Sequence, residues 1–248
     1  MANDYFQFQQ FCIEQSQCAM KVSTDACLLG AAADLAGATR LLDIGTGTGL
    51  LALMAAQRHA TVKIEAVEID AAAAAQAAAN VAASPWAGRI RVRAMSLAEY
   101  AAARPAPLAN ADWQFSHIIC NPPFFQQSLR SPDAARTKAR HEAADSLSFA
   151  ALAAFSAEFL LPTGILTVLL PPAGMRVFEE LAAAAGLHAA TRLVVRHRPG
   201  SKPLRHITGF RREAKAPQET ELTIRTAENE AEYSAAFQAL LNGFYLAL

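Results

Sequence analysis

Between residues 39 and 186, short apolar runs alternate with alanine-rich stretches of helical length, and this alternation constrains the fold more than any other feature. "TRLLDIG" (39–45), "KIEAVEID" (63–70), "RIRVRAM" (89–95), "FSHIIC" (115–120) and "GILTVLLP" (164–171) read as strands. Between them "GLLALMAAQR" (49–58), "AAAAAQAAANVAAS" (71–84), "SFAALAAFSAEFLL" (148–161, ended by Pro162) and "AGMRVFEELAAAAG" (173–186) read as helices, built from residues of high helical propensity. Strands that recur with a helix after each predict an α/β fold, a mostly parallel sheet with helices on both faces. After Gly186 the pattern changes to two strand-like runs joined by "GSKP", a last strand "ETELTIRT" (219–226) and a helix to the end. The Pro/Ala stretch at 103–110 is too short to separate domains, so one domain is expected over 1–248, with residues 1–38 an amino-terminal extension and helix ahead of the core.

Composition narrows the class. A chain of 248 residues buries about 70–75% of its unfolded surface and needs no covalent staples. No apolar run approaches the 18 or so residues of a bilayer span, and the N-terminus lacks a basic and apolar leader, so a cytoplasmic protein is expected. Cys12, Cys18, Cys27 and Cys120 show no CxxC spacing and read as reduced thiols, not as a metal site. With 22 basic and 22 acidic residues, any nucleic-acid partner must be held by a local patch.

The first chemical motif is "LLDIGTGTGLL" (41–51), where Gly45, Gly47 and Gly49 stand between a strand and a helix. A backbone there turns tightly and presents free N–H groups to a polar ligand. Nineteen residues after Gly49, Glu68 ends the second strand, where an acid holds the ribose hydroxyls of a nucleoside. The spacing is neither that of a nicotinamide fingerprint nor that of a P-loop; a purely structural turn is the alternative.

The second is "HIICNPPFFQQ" (117–127). Its strand stops at Cys120, on the carboxyl edge where open α/β sheets bind ligands. Asn121 and Pro122 each precede a proline and are pushed to extended conformations. The segment thus offers an amide oxygen and the Pro122 carbonyl in fixed geometry, followed by the Phe124 ring. Two acceptors and an aromatic face suit a planar base with an exocyclic amino group, with stacking worth about 1–3 kcal/mol. Accepting both amino hydrogens also favours a tetrahedral, nucleophilic nitrogen, an electrostatic effect worth about 10²–10³ in rate per contact. A strand-end turn with prolines as stoppers is the bland alternative.

"LDIGTGTGLLAL", "VEID" and "NPPF" in this order resemble class I S-adenosylmethionine-dependent methyltransferases. "CAMKVSTDACLLGAAA" (18–33), "NVAASPWAGRI" (80–90), "IICNPPFFQQS" (118–128) and the ending "FYLAL" are similar to the bacterial tRNA1(Val) adenine-37 N6-methyltransferase family. The resemblance implies a Rossmann-like, seven-stranded sheet with an antiparallel seventh strand, S-adenosylmethionine as donor, and an adenine of the tRNA anticodon loop as acceptor. It implies that Gly45, Gly47 and Gly49 face the donor, that Asp43 orients their loop, that Glu68 holds the ribose, and that Asn121, Pro122 and Phe124 receive the adenine. Lys21 and Asp25 match the amino-terminal block that closes over the donor; "KVSTD" also reads as a helix cap through Ser23 or Thr24. Ser96 stands near the position where the family often has an acid to hold the donor's adenine, and the resemblance implies that Ser96 accepts a weaker hydrogen bond there or that a backbone carbonyl takes its place.

From Arg192 to Arg212 there are seven Lys/Arg, two His and no acid, and a second basic cluster spans 130–142. Arg140, Arg196, Arg198, Lys202 and Arg205 are the expected RNA contacts, which would make binding salt-dependent. An ordinary solvated hairpin is the alternative. His141 reads as a surface group, because methyl transfer to an amino nitrogen needs no strong base. A base drawn from an anticodon loop unstacks more easily than one in a duplex. No metal is expected, and the chain is expected to act as a monomer. The rivals are an N-methyltransferase of an rRNA or DNA base or of a protein glutamine, and a non-enzymatic nucleoside- or RNA-binding module.

Overall fold

The computed structural model describes residues 3–103, 113–122, 147–227 and 231–247. The main sheet is built from β3 (Arg40–Ile44), β4 (Lys63–Glu68), β5 (Ile90–Ala94), β6 (Phe115–Cys120), β7 (Leu160–Leu170), β8 (His188–Arg196), β9 (Pro203–Arg211) and β10 (Gln218–Thr223). Its order is β10-β8-β9-β7-β6-β3-β4-β5, and only β9 runs antiparallel to its neighbours.

The sheet has eight strands, not the seven that the resemblance implies. The antiparallel strand is the seventh of them in chain order, as expected, and β10 adds an eighth, parallel to β8, at the edge.

Adjacent residues of the strands enter opposite cores, as the period of two requires. Leu41, Ile119 and Leu169 face one layer while Leu42, Ile118 and Leu170 face the other. The first layer holds α1 (Thr24–Ala32), α2 (Leu50–Arg58), α3 (Ala71–Ala82) and α7 (Ala235–Leu241). The second holds α4 (Leu97–Ala102), α5 (Phe149–Phe159) and α6 (Pro172–Ala184).

Pro162 does not stand between helix and strand. The helix ends at Phe159 and β7 begins at once; Phe115 pairs with Leu160 but His117 with Ile165. Residues 161–164 therefore bulge out of the ladder, and a proline without an N–H is tolerated there. The last helix is shorter than expected. It stops at Leu241, and the chain turns back so that Gln9 N donates to Phe244 O at 2.8 Å and Phe8 bridges Tyr245. That contact belongs to a hairpin, β1 (Tyr5–Gln7) with β2 (Cys12–Glu14), in a stretch whose sequence carries no period.

Candidate functional site

A cavity of about 450 Å³ opens at the carboxyl ends of β3, β4 and β6, within the range of small-molecule sites. Its floor is the turn from β3 to α2. Gly45, Gly47 and Gly49 have φ of +69°, +55° and +84°. A side chain at Gly47 would be strained, and its Cβ would point into open space. Gly49 lies so close to α3 that a Cβ would stand 3.4 Å from that of Ala77, so this glycine also serves packing.

Asp43 sits fully buried beneath the turn and accepts from the Thr46 hydroxyl at 2.5 Å. Burial pushes its carboxyl up to about 7, while the Thr46 hydroxyl and the Ala52 amide pull it down. Glu68 Oε2 accepts the Gly47 amide at 2.9 Å and Oε1 the Asp70 amide at 3.0 Å. The acid at the end of β4 is thereby aimed across the cavity at the glycine turn.

On the other side stand Cys120, Asn121 and Pro122, at the end of β6 beside β3. The Asn121 Oδ1 is buried and has no hydrogen-bond partner among the described residues. A buried acceptor without a donor is costly unless something fills the place. This oxygen therefore marks where a donor group fits. Cys120 is buried, and desolvation raises its thiol well above the ordinary range, so it is no nucleophile. Phe124, Pro123, Arg140 and His141 lie outside the described residues.

The expected site residues divide. Asn121, Pro122, Gly45, Gly47, Glu68 and Lys21 line one cavity. Lys21 reaches Asn3 O at 3.3 Å and Asp4 at 3.5 Å. Ser23 caps α1 by accepting from Ala26 N, as the alternative reading of "KVSTD" has it. Ser96 is not among the lining residues. Its hydroxyl and amide close a capping box with Glu99 at the start of α4, which holds the Glu99 carboxyl below its usual range.

The basic hairpin reaches the same edge, since its turn joins the end of β8 to the start of β9, but most of its arginines hold protein groups. Arg205 pairs with Asp25 at 2.7 Å and Arg196 with Glu221 at 2.7 Å. Arg192 pairs with Glu179 and Glu219, and Arg211 and Arg212 donate to carbonyls of residues 157–163. Lys202 is exposed at the turn, where Arg198 also stands.

Sequence reasoning missed Ile69, half exposed at the cavity rim, as well as Asp70 and Leu147, whereas the 17–23 stretch that roofs the cavity lies almost wholly in the amino-terminal block expected to close over the donor. Ile69 and Asp70 follow Glu68 directly, so their place beside a ligand was available from the same strand-end argument.

The model of the Methyltransferase small domain family matches residues 21–149. A tRNA1(Val) (adenine(37)-N6)-methyltransferase of Phocaeicola vulgatus is 41% identical over 246 residues, covering 99% of both chains. Among solved structures, a predicted O-methyltransferase from Agrobacterium tumefaciens superimposes with a TM-score of 0.59 at 20% identity, over 89% of this chain and 96% of that one. An O-methyltransferase of neocarzinostatin biosynthesis, in complex with S-adenosylmethionine, gives 0.50 at 17% identity, over 73% and 51%. Likenesses this distant speak for the fold.

Proposed function

The chain belongs to the tRNA1(Val) (adenine(37)-N6)-methyltransferase family, and from that premise we propose that it methylates N6 of adenine 37 in the anticodon loop of tRNA1(Val), with S-adenosylmethionine as donor. The observation that carries this reading is the buried Asn121 Oδ1, without a hydrogen-bond partner among the described residues, at the wall of the cavity that Glu68 and the glycine turn line. Residues 1–248 act as one methyltransferase unit, a cytoplasmic monomer, with 1–38 as its amino-terminal extension.

The residues present fit the donor. Glu68, already aimed into the cavity, would take the ribose hydroxyls, the turn from Gly45 to Gly49 would face the amino-acid end, and Ile69 at the rim would border the donor. Asp43 acts beneath the turn through Thr46 and touches no ligand. S-adenosylmethionine supplies a sulfonium methyl that is lost to an attacking nitrogen. Asn121 Oδ1 and the Pro122 carbonyl accept the two N6 hydrogens and stabilise the charge that grows on nitrogen as the N–C bond forms and the S–C bond breaks. Phe124 stacks on the base, and the cationic product releases its extra proton to water. With Arg196 and Arg205 acting as struts, Lys202 and Arg198 at the hairpin turn and Arg140 after the Asn-Pro-Pro-Phe segment serve the phosphates.

The test is methyl transfer from labelled S-adenosylmethionine to a panel of unmodified tRNA, rRNA, DNA and a glutamine-bearing protein substrate. Label in tRNA alone is expected. Label in another acceptor overturns the substrate, and donor binding without transfer to any of them would leave only a binding module.

A further inference from the structure

Two buried side-chain amides, neither part of the chemistry above, connect the floor of the donor cavity to its roof. Asn80 of α3 is 3% exposed. Its Oδ1 accepts the Glu14 amide at 3.0 Å, and its Nδ2 donates to Glu14 O at 2.8 Å and to Thr48 O at 2.9 Å. Thr48 belongs to the glycine turn and lines the cavity. Gln15, the residue after Glu14, is 5% exposed. Its Oε1 accepts the Val22 amide at 2.9 Å, its Nε2 donates to Asn3 O at 2.9 Å, and its backbone N–H donates to Asp4 O at 2.8 Å. Val22, beside Lys21, is part of the roof.

We infer that Asn80 and Gln15 are positioning residues for the donor, a Thr48–Asn80–Glu14–Gln15–Val22 relay that sets the spacing between glycine turn and roof. Asn80 spends both amide hydrogens and its oxygen on backbone groups, and Gln15 spends its oxygen and one amide hydrogen on them, so the backbone fixes how each amide is oriented. A side-chain amide satisfied on both sides in a buried place holds its partners in one register, because shifting either leaves a polar group unpaired. The short hairpin β1–β2 thereby becomes a component of the donor site, although none of its residues lines the cavity. The inference rests on the reading that this cavity holds S-adenosylmethionine.

The experiment compares Gln15→Met, which keeps the volume and removes both side-chain hydrogen bonds, with Gln15→Glu, which keeps an acceptor for the Val22 amide. Gln9→Ala serves as control, since Gln9 ties the same hairpin to Asn242 O and Tyr245 O. Calorimetric titration gives the dissociation constant for S-adenosylmethionine, and hydrogen exchange on the donor-free protein reports the Val22 amide. Gln15→Met is expected to weaken the donor about tenfold and Gln15→Glu less than about threefold, on the scale of one buried hydrogen bond. The Val22 amide is expected to exchange faster in Gln15→Met only. Gln9→Ala is expected to lower the thermal midpoint and leave the donor constant alone. Wild-type affinity in Gln15→Met, or an equal loss in Gln9→Ala, overturns the relay while the donor site stands. A wild-type protein that binds no donor instead overturns the reading of the cavity.

Discussion

Arg205 donates from Nε to Asp25 Oδ2 at 2.7 Å, with the two side chains 23% and 22% exposed, so the basic hairpin is anchored to the first turn of the helix that follows the cavity roof. An acid in a first turn is also favoured by the helix dipole. Removing either partner leaves a partly desolvated charge behind. Arg205→Ala is expected to lose about 1–3 kcal/mol, seen as a fall of roughly 3–10 °C in the thermal midpoint. The salt dependence of tRNA binding should hardly change in that variant, whereas Lys202→Ala should reduce its log–log slope by about 1. Equal effects of the two substitutions on that slope would return Arg205 to the RNA surface.

Asn121→Ala separates binding from chemistry. It removes an acceptor for the amino hydrogens and touches none of the groups assigned to the donor. Donor affinity should stay within about twofold while single-turnover methyl transfer falls at least about 10²-fold. Transfer at the wild-type rate would refute the role of this oxygen.

Glu68→Ala does the reverse. Two charge-assisted hydrogen bonds to ribose are lost, and the dissociation constant for S-adenosylmethionine should rise by about 10–100-fold. An unchanged constant in calorimetric titration removes Glu68 from the site.

Asp43 predicts a pH effect with a definite sign. Its folded carboxyl is pushed up to about 7 by burial, against an ordinary value near 4. Between those limits the folded state binds a proton that the unfolded chain has released, so this group's contribution to stability falls as pH rises and stays low above about 7. Buried His117, pushed down to about 4, works in the opposite direction through part of the same window. The difference between variant and wild type is therefore the quantity to follow. In Asp43→Asn the thermal midpoint should gain on the wild type from pH 5 to about 7 and level off above it; a constant difference across that window would contradict the raised carboxyl.

The sheet, the glycine turn and Glu68 are legible in the sequence because each rests on short-range spacing. The run from Leu41 to Glu68 contains a strand, a turn, a helix and a strand whose edge residues point to one place. The capping box at Ser96 and Glu99 went unread, although it follows a Ser-x-x-Glu spacing, and it commits the Ser96 hydroxyl to the start of α4. What stays hidden is pairing across distance. Asp25 and Arg205 lie 180 residues apart, and Asn80 and Glu14 lie 66 apart. No local pattern distinguishes an arginine that will meet phosphate from one that will meet an aspartate. The β1–β2 hairpin is hidden for a related reason: its three-residue strands take their order from contacts with the chain's end and with α3.

Methylated-nucleoside analysis of a tRNA1(Val) transcript tests the central claim most directly. The transcript, incubated with the protein and S-adenosylmethionine, is digested and resolved by mass spectrometry beside a transcript whose adenine 37 is replaced by guanine. N6-methyladenosine from the first and none from the second is the expected result. Methylation at another atom, or equal methylation of both transcripts, would contradict the account.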